Sequence, residues 1–110
     1  MANGMTTPHS PVDLTANQVA ALLARGEVVL VDVREAAEFA SARIAGAVLH
    51  PLSRFDPASL PAGRLVFQCG VGKRSFMAAQ AALAAGLPHA EHLQGGLQAW
   101  IAAGLPIERG

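Results

Sequence analysis

The sequence predicts a three-layer α/β/α domain built on a small central parallel sheet of about five strands. Three observations carry this expectation. Short apolar runs alternate with alanine-rich helical stretches along the chain, an order that implies right-handed crossovers. One run, Val28-Val29-Leu30-Val31, is continuous and almost wholly β-branched, as strands covered on both faces are. The chain has 110 residues, 52% of them apolar and 15% charged, which suits one domain with its own core and leaves no room for a second.

Residues 1–11 read as a flexible leader and residues 12–108 as the domain. Met1 to Ser10 lacks the basic start and apolar centre of a signal peptide. Val12-Asp13-Leu14 is a short edge strand. Thr15 to Gln18 spells a capping box, so a helix is expected from Ala16 to Arg25, with Gly26 as its stop. After the Val28–Val31 strand come Asp32, Arg34 and Glu35, and then a short helix over Glu35–Ala42. Ala47-Val48-Leu49 is a brief strand, and Pro51 to Ala62, with three prolines, is a connection holding one helical turn. Leu65 to Gln68 is the next strand. From Ser75 to Ala85 runs a strong helix former with Phe76, Ala79 and Leu83 on one face, stopped by Gly86 and Pro88. Ala90 to Leu93 is the last strand, Gly95-Gly96 a tight turn close to the loop after Gln68, and Gly96 to Ala103 a final helix with Trp100 in the core.

The chemistry concentrates in Cys69-Gly70-Val71-Gly72-Lys73-Arg74-Ser75, wedged between a strand's C-terminal end and a helix's first turn. That turn carries unpaired N–H groups and partial positive charge, so it is an anion site. Gly70 and Gly72 let successive amides turn inward, as in nests that cradle phosphate or sulfate, while Lys73 and Arg74 add full charge. A cysteine in such surroundings is expected to have a lowered pKa and to be a nucleophilic thiolate. The competing reading is a small buried hydrophobe, the commonest fate of a lone cysteine, which has no need of two glycines and two cations nearby.

Eight basic residues balance eight acidic ones, so no net field attracts nucleic acid or an anionic membrane. No apolar run approaches the ~20 residues of a membrane span. One cysteine forms neither an internal disulfide nor a cysteine-based metal site, which fits a reducing compartment and a cytoplasmic location. Of the histidines, His9 lies in the leader and His50 precedes Pro51. His89 and His92, three apart around a strand, point to opposite faces, so no shared metal is expected. Nothing in the sequence locates a base for a Cys-His hydrolase.

The loop Cys69 to Ser75 resembles the active-site loop of the rhodanese family, of the pattern C-x-x-G-x-R-S. Two further stretches match in family order: Val31-Asp32-Val33-Arg34-Glu35 with Ile44-Ala45-Gly46-Ala47 upstream, and Leu93-Gln94-Gly95-Gly96-Leu97-Gln98-Ala99-Trp100 downstream. Together they span nearly the whole chain from Leu14 to Pro106. The resemblance implies a sulfurtransferase: Cys69 takes a sulfane sulfur from a small anionic donor such as thiosulfate, holds it as a persulfide, and passes it to cyanide or a thiol. Gly70, Val71, Gly72, Lys73, Arg74 and Ser75 would bind the substrate, with Asp32, Arg34 and Glu35 supporting the loop, and no metal or organic cofactor is required. A persulfide carrier or regulatory module serving a protein partner is an alternative. So is a phosphatase or arsenate reductase of the same fold, whose loop has a histidine, the cysteine, five residues and an arginine. Here Gln68 replaces that histidine and four residues separate Cys69 from Arg74. The chain also departs from the family at Ala42-Arg43, where Gly-His is usual, and at Ala45, where proline is common.

Overall fold

In the computed structural model, which describes residues 10–110, the chain runs β1 (Val12–Leu14), α1 (Ala16–Ala24), β2 (Val29–Asp32), α2 (Ala36–Ser41), β3 (Ala42–Arg43), β4 (Val48–Leu49), β5 (Leu65–Gln68), α3 (Lys73–Ala84), β6 (Glu91–Leu93), α4 (Gly96–Ala102) and β7 (Glu108–Arg109). Most of the leader expected over residues 1–11 lies outside the described residues. Five parallel strands form the central sheet in the order β1-β6-β5-β2-β4. The period-2 geometry of strands sends alternate side chains to opposite cores. Leu30, Val66 and Leu93 join Val19, Leu22, Leu97 and Trp100 on the α1–α4 face, while Val31, Val33 and Phe67 join Ala78, Ala79 and Ala82 of α3 on the other. The α/β/α expectation holds, with helices on both faces of a five-stranded parallel sheet.

The local signals at α1 are realised: the Thr15 hydroxyl accepts the Gln18 N–H at 3.2 Å and the Gln18 side chain accepts the Thr15 N–H at 2.8 Å. Elsewhere tertiary contacts move the expected boundaries. α3 begins at Lys73 and not Ser75, because left-handed Gly72 (φ +102°) turns the chain straight into the helix. Its buried face is Ser75, Ala78, Ala79 and Ala82, not Phe76, Ala79 and Leu83. Small side chains let the helix lie close on β5, and Phe76 moves to the rim, edge-on to the His92 ring at 5.5 Å. α2 stops at Ser41, since Ala42–Arg43 pairs antiparallel with Glu108–Arg109, and the domain end expected at residue 108 falls inside that pair. The Pro51–Ala62 connection holds two short 3₁₀ turns in place of one helical turn.

Candidate active site

Cys69 leaves β5 at the C-terminal edge of the sheet with its side chain fully buried under the loop. The Gly72 N–H points at Sγ from 3.1 Å and the Ser75 N–H from 3.3 Å, with the Ser75 hydroxyl at 3.6 Å. Burial is the largest single influence and pushes the thiol up. The Ser75 hydroxyl and the amides of Ser75, Gly72 and Val71 together outweigh it, so the thiol lies below its ordinary value.

Two glycines give the loop its shape. Gly96 sits at φ +60°, where a Cβ would strike the Cys69 carbonyl oxygen and lie 2.6 Å from the Gly70 carbonyl carbon. A Cβ on Gly72 would lie 3.0 Å from the Gly95 nitrogen. This close approach lets the first amides of α4 hold the loop: Leu97 N–H donates to the Cys69 carbonyl at 2.8 Å and Gln98 N–H to the Gly70 carbonyl at 3.0 Å. The Gly95-Gly96 turn therefore meets the loop. Beneath it Gln68 is buried, its side-chain amide donating to the same Cys69 carbonyl.

The proposed supporting residues play three different parts. Asp32 and Arg34, both buried, form a bidentate pair, with Nε 3.1 Å from Oδ1 and Nη2 2.8 Å from Oδ2. Arg34 also donates to the Ala42 carbonyl at 2.7 Å and the Glu38 carbonyl at 3.4 Å, fastening the end of α2 to the end of β2. Glu35 is exposed, and its carboxylate accepts from the Ser53 hydroxyl at 2.9 Å. None of the three contacts Sγ.

Arg74 reaches across to Glu38 in a second bidentate pair, at 2.7 and 3.0 Å, beside Gly70. Lys73 is exposed and opens onto a cleft of about 470 Å³ walled also by Val71, Phe76, Met77 and His92. The cleft meets the loop at Val71, Gly72 and Lys73, and Sγ is not part of its wall.

The hydrogen-bonded Arg74 guanidinium holds the Glu38 carboxyl down from its ordinary 4.5 to about 2. A carboxyl lowered on folding stabilises the protein above its unfolded pKa and loses that contribution as pH falls through its folded value. The window is therefore from about pH 4.5 down to about pH 2. Both partners are more than a third exposed, so screening reduces the pair to about 0.5–1 kcal/mol. Glu91, paired with Arg64, is lowered in the same direction, so the wild-type slope contains both. The gap in urea midpoint between wild type and Glu38→Gln isolates one, and it should narrow between about pH 5 and about pH 2.5. A gap independent of pH would mean that Glu38 acts through packing.

A family model for the rhodanese-like domain matches residues 15–103. The chain belongs to the rhodanese-like family. Membership places it in a family of sulfurtransferase type. This rhodanese-like chain is 45% identical over 82 residues to an uncharacterized protein of Synechocystis sp., covering 72% of this chain and 46% of that protein. It thus spans about half the length of that relative. Among solved structures, a Rhodopseudomonas palustris protein of unknown function, described as a possible tyrosine phosphatase, superposes with a TM-score of 0.78 at 29% identity over 98% of this chain and 99% of that one. A thiosulfate sulfurtransferase from Pseudomonas aeruginosa superposes with a TM-score of 0.77 at 34% identity, covering 93% of this chain and 21% of the other.

Glu38, His92 and Asp13 were not legible as site residues of this rhodanese-like domain. Glu38 lies 36 positions from Arg74, and Asp13 lies 79 positions from His92, so no local period links either pair. His92, for which the sequence reading weighed only a metal shared with His89, is buried and hydrogen-bonded at both ring nitrogens. Among the described residues no group of His, Cys, Asp and Glu is arranged to hold a metal, and no helix is long and apolar enough to cross a membrane.

Proposed function

We propose that the protein is a sulfurtransferase that moves a sulfane sulfur from a small anionic donor such as thiosulfate, through a Cys69 persulfide, to a thiophilic acceptor. The observation that carries this reading is the convergence of the Gly72 and Ser75 amides on one sulfur atom. In the first step the Cys69 thiolate attacks the outer sulfur of thiosulfate. The sulfur–sulfur bond of the donor breaks, and its electron pair leaves with sulfite. Cyanide or a thiolate then attacks the terminal sulfur of the persulfide, whose sulfur–sulfur bond breaks with its electron pair returning to Cys69 as the thiolate. Each anionic species is met by preorganised amides, and no proton need move during transfer. Because Sγ is fully covered, the donor reaches it only when the loop's rim parts.

A phosphatase reading draws support from the Rhodopseudomonas palustris neighbour. Three features favour sulfur transfer. Gln68 stands where that chemistry uses histidine, four residues separate Cys69 from Arg74, and the Arg74 guanidinium is engaged by Glu38. The acceptor can also be a protein thiol, a choice supported by Val71 and Met77, exposed beside the cleft.

Intact mass tests the reading. Thiosulfate should add one sulfur atom to the wild type, cyanide should remove it, and Cys69→Ser should show neither change while keeping its fold. Turnover of a generic aryl phosphate with no such mass change would replace sulfur transfer by phosphate hydrolysis.

A further inference from the structure

A line of side chains runs from Cys69 to the protein's edge. Cys69 Sγ is 3.6 Å from Ser75 Oγ, Ser75 Oγ is 3.0 Å from His92 Nδ1, and His92 Nε2 is 2.7 Å from Asp13 Oδ1. The fold brings them together from four places in the chain. Asp13 sits opposite His92 in the β1–β6 register, and Ser75 belongs to the buried face of α3, which packs on the sheet. Cys69, Ser75 and His92 are buried, whereas Asp13 is half-exposed at the cleft.

The donor and acceptor inventory orders the line. A carboxylate only accepts, so His92 Nε2 carries the hydrogen shared with Asp13, which leaves Nδ1 as an acceptor. The Ser75 hydroxyl hydrogen then serves Nδ1, with the Gly72 carbonyl at 3.2 Å as its other acceptor, and the Ser75 lone pairs face the Cys69 thiol. With Cys69 fully buried, Ser75 Oγ is the neighbouring side-chain acceptor placed to take the thiol proton.

We propose that Ser75, His92 and Asp13 form a proton relay that takes up the Cys69 proton as the thiolate forms. This deepens the sulfur-transfer reading and rests on it only for the role of Cys69 as nucleophile. The Sγ–H bond breaks and its proton passes to Ser75 Oγ, while the original Ser75 proton passes to His92 Nδ1. No oxidation occurs. The regenerated hydroxyl donates back to the thiolate, and the ring carries two protons against the Asp13 carboxylate. Asp13, at the solvent edge, gives the surplus proton its way out. Among the described residues, the titratable or charged groups facing the ring are Asp13 from β1 and Lys73 from the start of α3, across the shared cleft. β5 contributes Phe67 opposite His92 in register, and Phe76 of α3 meets the ring edge-on, neither bearing charge. His92 and Asp13 are positioning residues, since they reach the thiol only through Ser75.

The test is the pH dependence of iodoacetamide alkylation of the full chain, with thermal melts to establish folding. Ser75→Ala and His92→Gln should each raise the inflection by about one pH unit, roughly a tenfold loss of rate at a pH below both inflections. The double variant should go no further than Ser75→Ala, because His92 has no route to the thiol without the hydroxyl. Asp13→Asn, at a half-exposed position that tolerates change, should shift the inflection the same way. Ring-nitrogen NMR of the wild type should show His92 gaining its second proton as Cys69 ionises, a signal absent in Cys69→Ser. The relay is overturned if His92→Gln and Asp13→Asn leave the inflection in place, or if His92→Gln shifts it equally with and without Ser75. Movement of the inflections as stated, without sulfur gain from thiosulfate, overturns sulfur transfer and leaves the relay standing. Sulfur gain with unmoved inflections overturns the relay alone.

Discussion

Gly96→Ala is expected to cost about 3–4 kcal/mol of stability and to remove the thiol's activation together with it. The left-handed backbone at φ +60° accounts for about 1–2 kcal/mol of that cost for any residue with a Cβ. The remainder comes from what the Cβ would strike. Its obstacles are the Cys69 carbonyl oxygen and the Gly70 carbonyl, backbone atoms with no rotamer to escape into. Relief requires α4 to back away from the loop, which breaks the hydrogen bonds donated by the Leu97 and Gln98 N–H groups at about 1 kcal/mol each. Gly104→Ala is the matched control. Its φ is +77° and a Cβ there meets nothing within 4 Å, so it should show the conformational cost alone. Urea melts of the two variants and the iodoacetamide profile of Cys69 provide the measurement. Equal losses in both would mean that the close approach of α4 contributes nothing.

Arg34→Met should lower stability by about 3–5 kcal/mol, a large share of the 5–15 kcal/mol typical of a domain. Methionine supplies similar bulk, so the loss is electrostatic. Asp32 has no exposed surface, and without the guanidinium its carboxylate keeps, among the described residues, only the Arg34 backbone N–H at 2.9 Å. The Ala42 and Glu38 carbonyls at the end of α2 lose their donor too. Replacing both members of the pair, as in Asp32→Leu with Arg34→Met, should recover most of the loss, because removing a buried pair is far less costly than halving it. Urea midpoints of the single and double variants decide the matter, and a double variant no more stable than the single would show that the carbonyl contacts dominate. Since neither residue touches Sγ, the alkylation inflection should move little in whatever fraction stays folded.

Much of this protein is local in origin and was therefore readable in the sequence. The Thr15–Gln18 capping box closes within three residues, so α1 needs no tertiary contact to declare its start. The strand-to-helix turn at Cys69 follows from a strand that opens on apolar Leu65-Val66-Phe67 meeting glycines and a helix former. The loop amides that lower the thiol's pKa lie within six residues of it, which is why the cysteine and its nest were visible together. Residues far apart in sequence were decided otherwise. Whether Phe76 or Ser75 faces the sheet depends on how closely α3 approaches β5, a distance set by every side chain between them. Ala42–Arg43 is a strand because Glu108–Arg109 comes to lie beside it, not because of its own period. Glu38 meets Arg74, and Asp13 meets His92, only after crossovers place β1 against β6 and α2 beside the loop. The sequence by itself thus determined the layers, the place of the cysteine and the amides around it, through interactions that span a helical turn or a strand. Tertiary structure alone decided which charges pair and where the thiol's proton can go, because hydrogen bonds act over about 3 Å and only folding brings such groups that close.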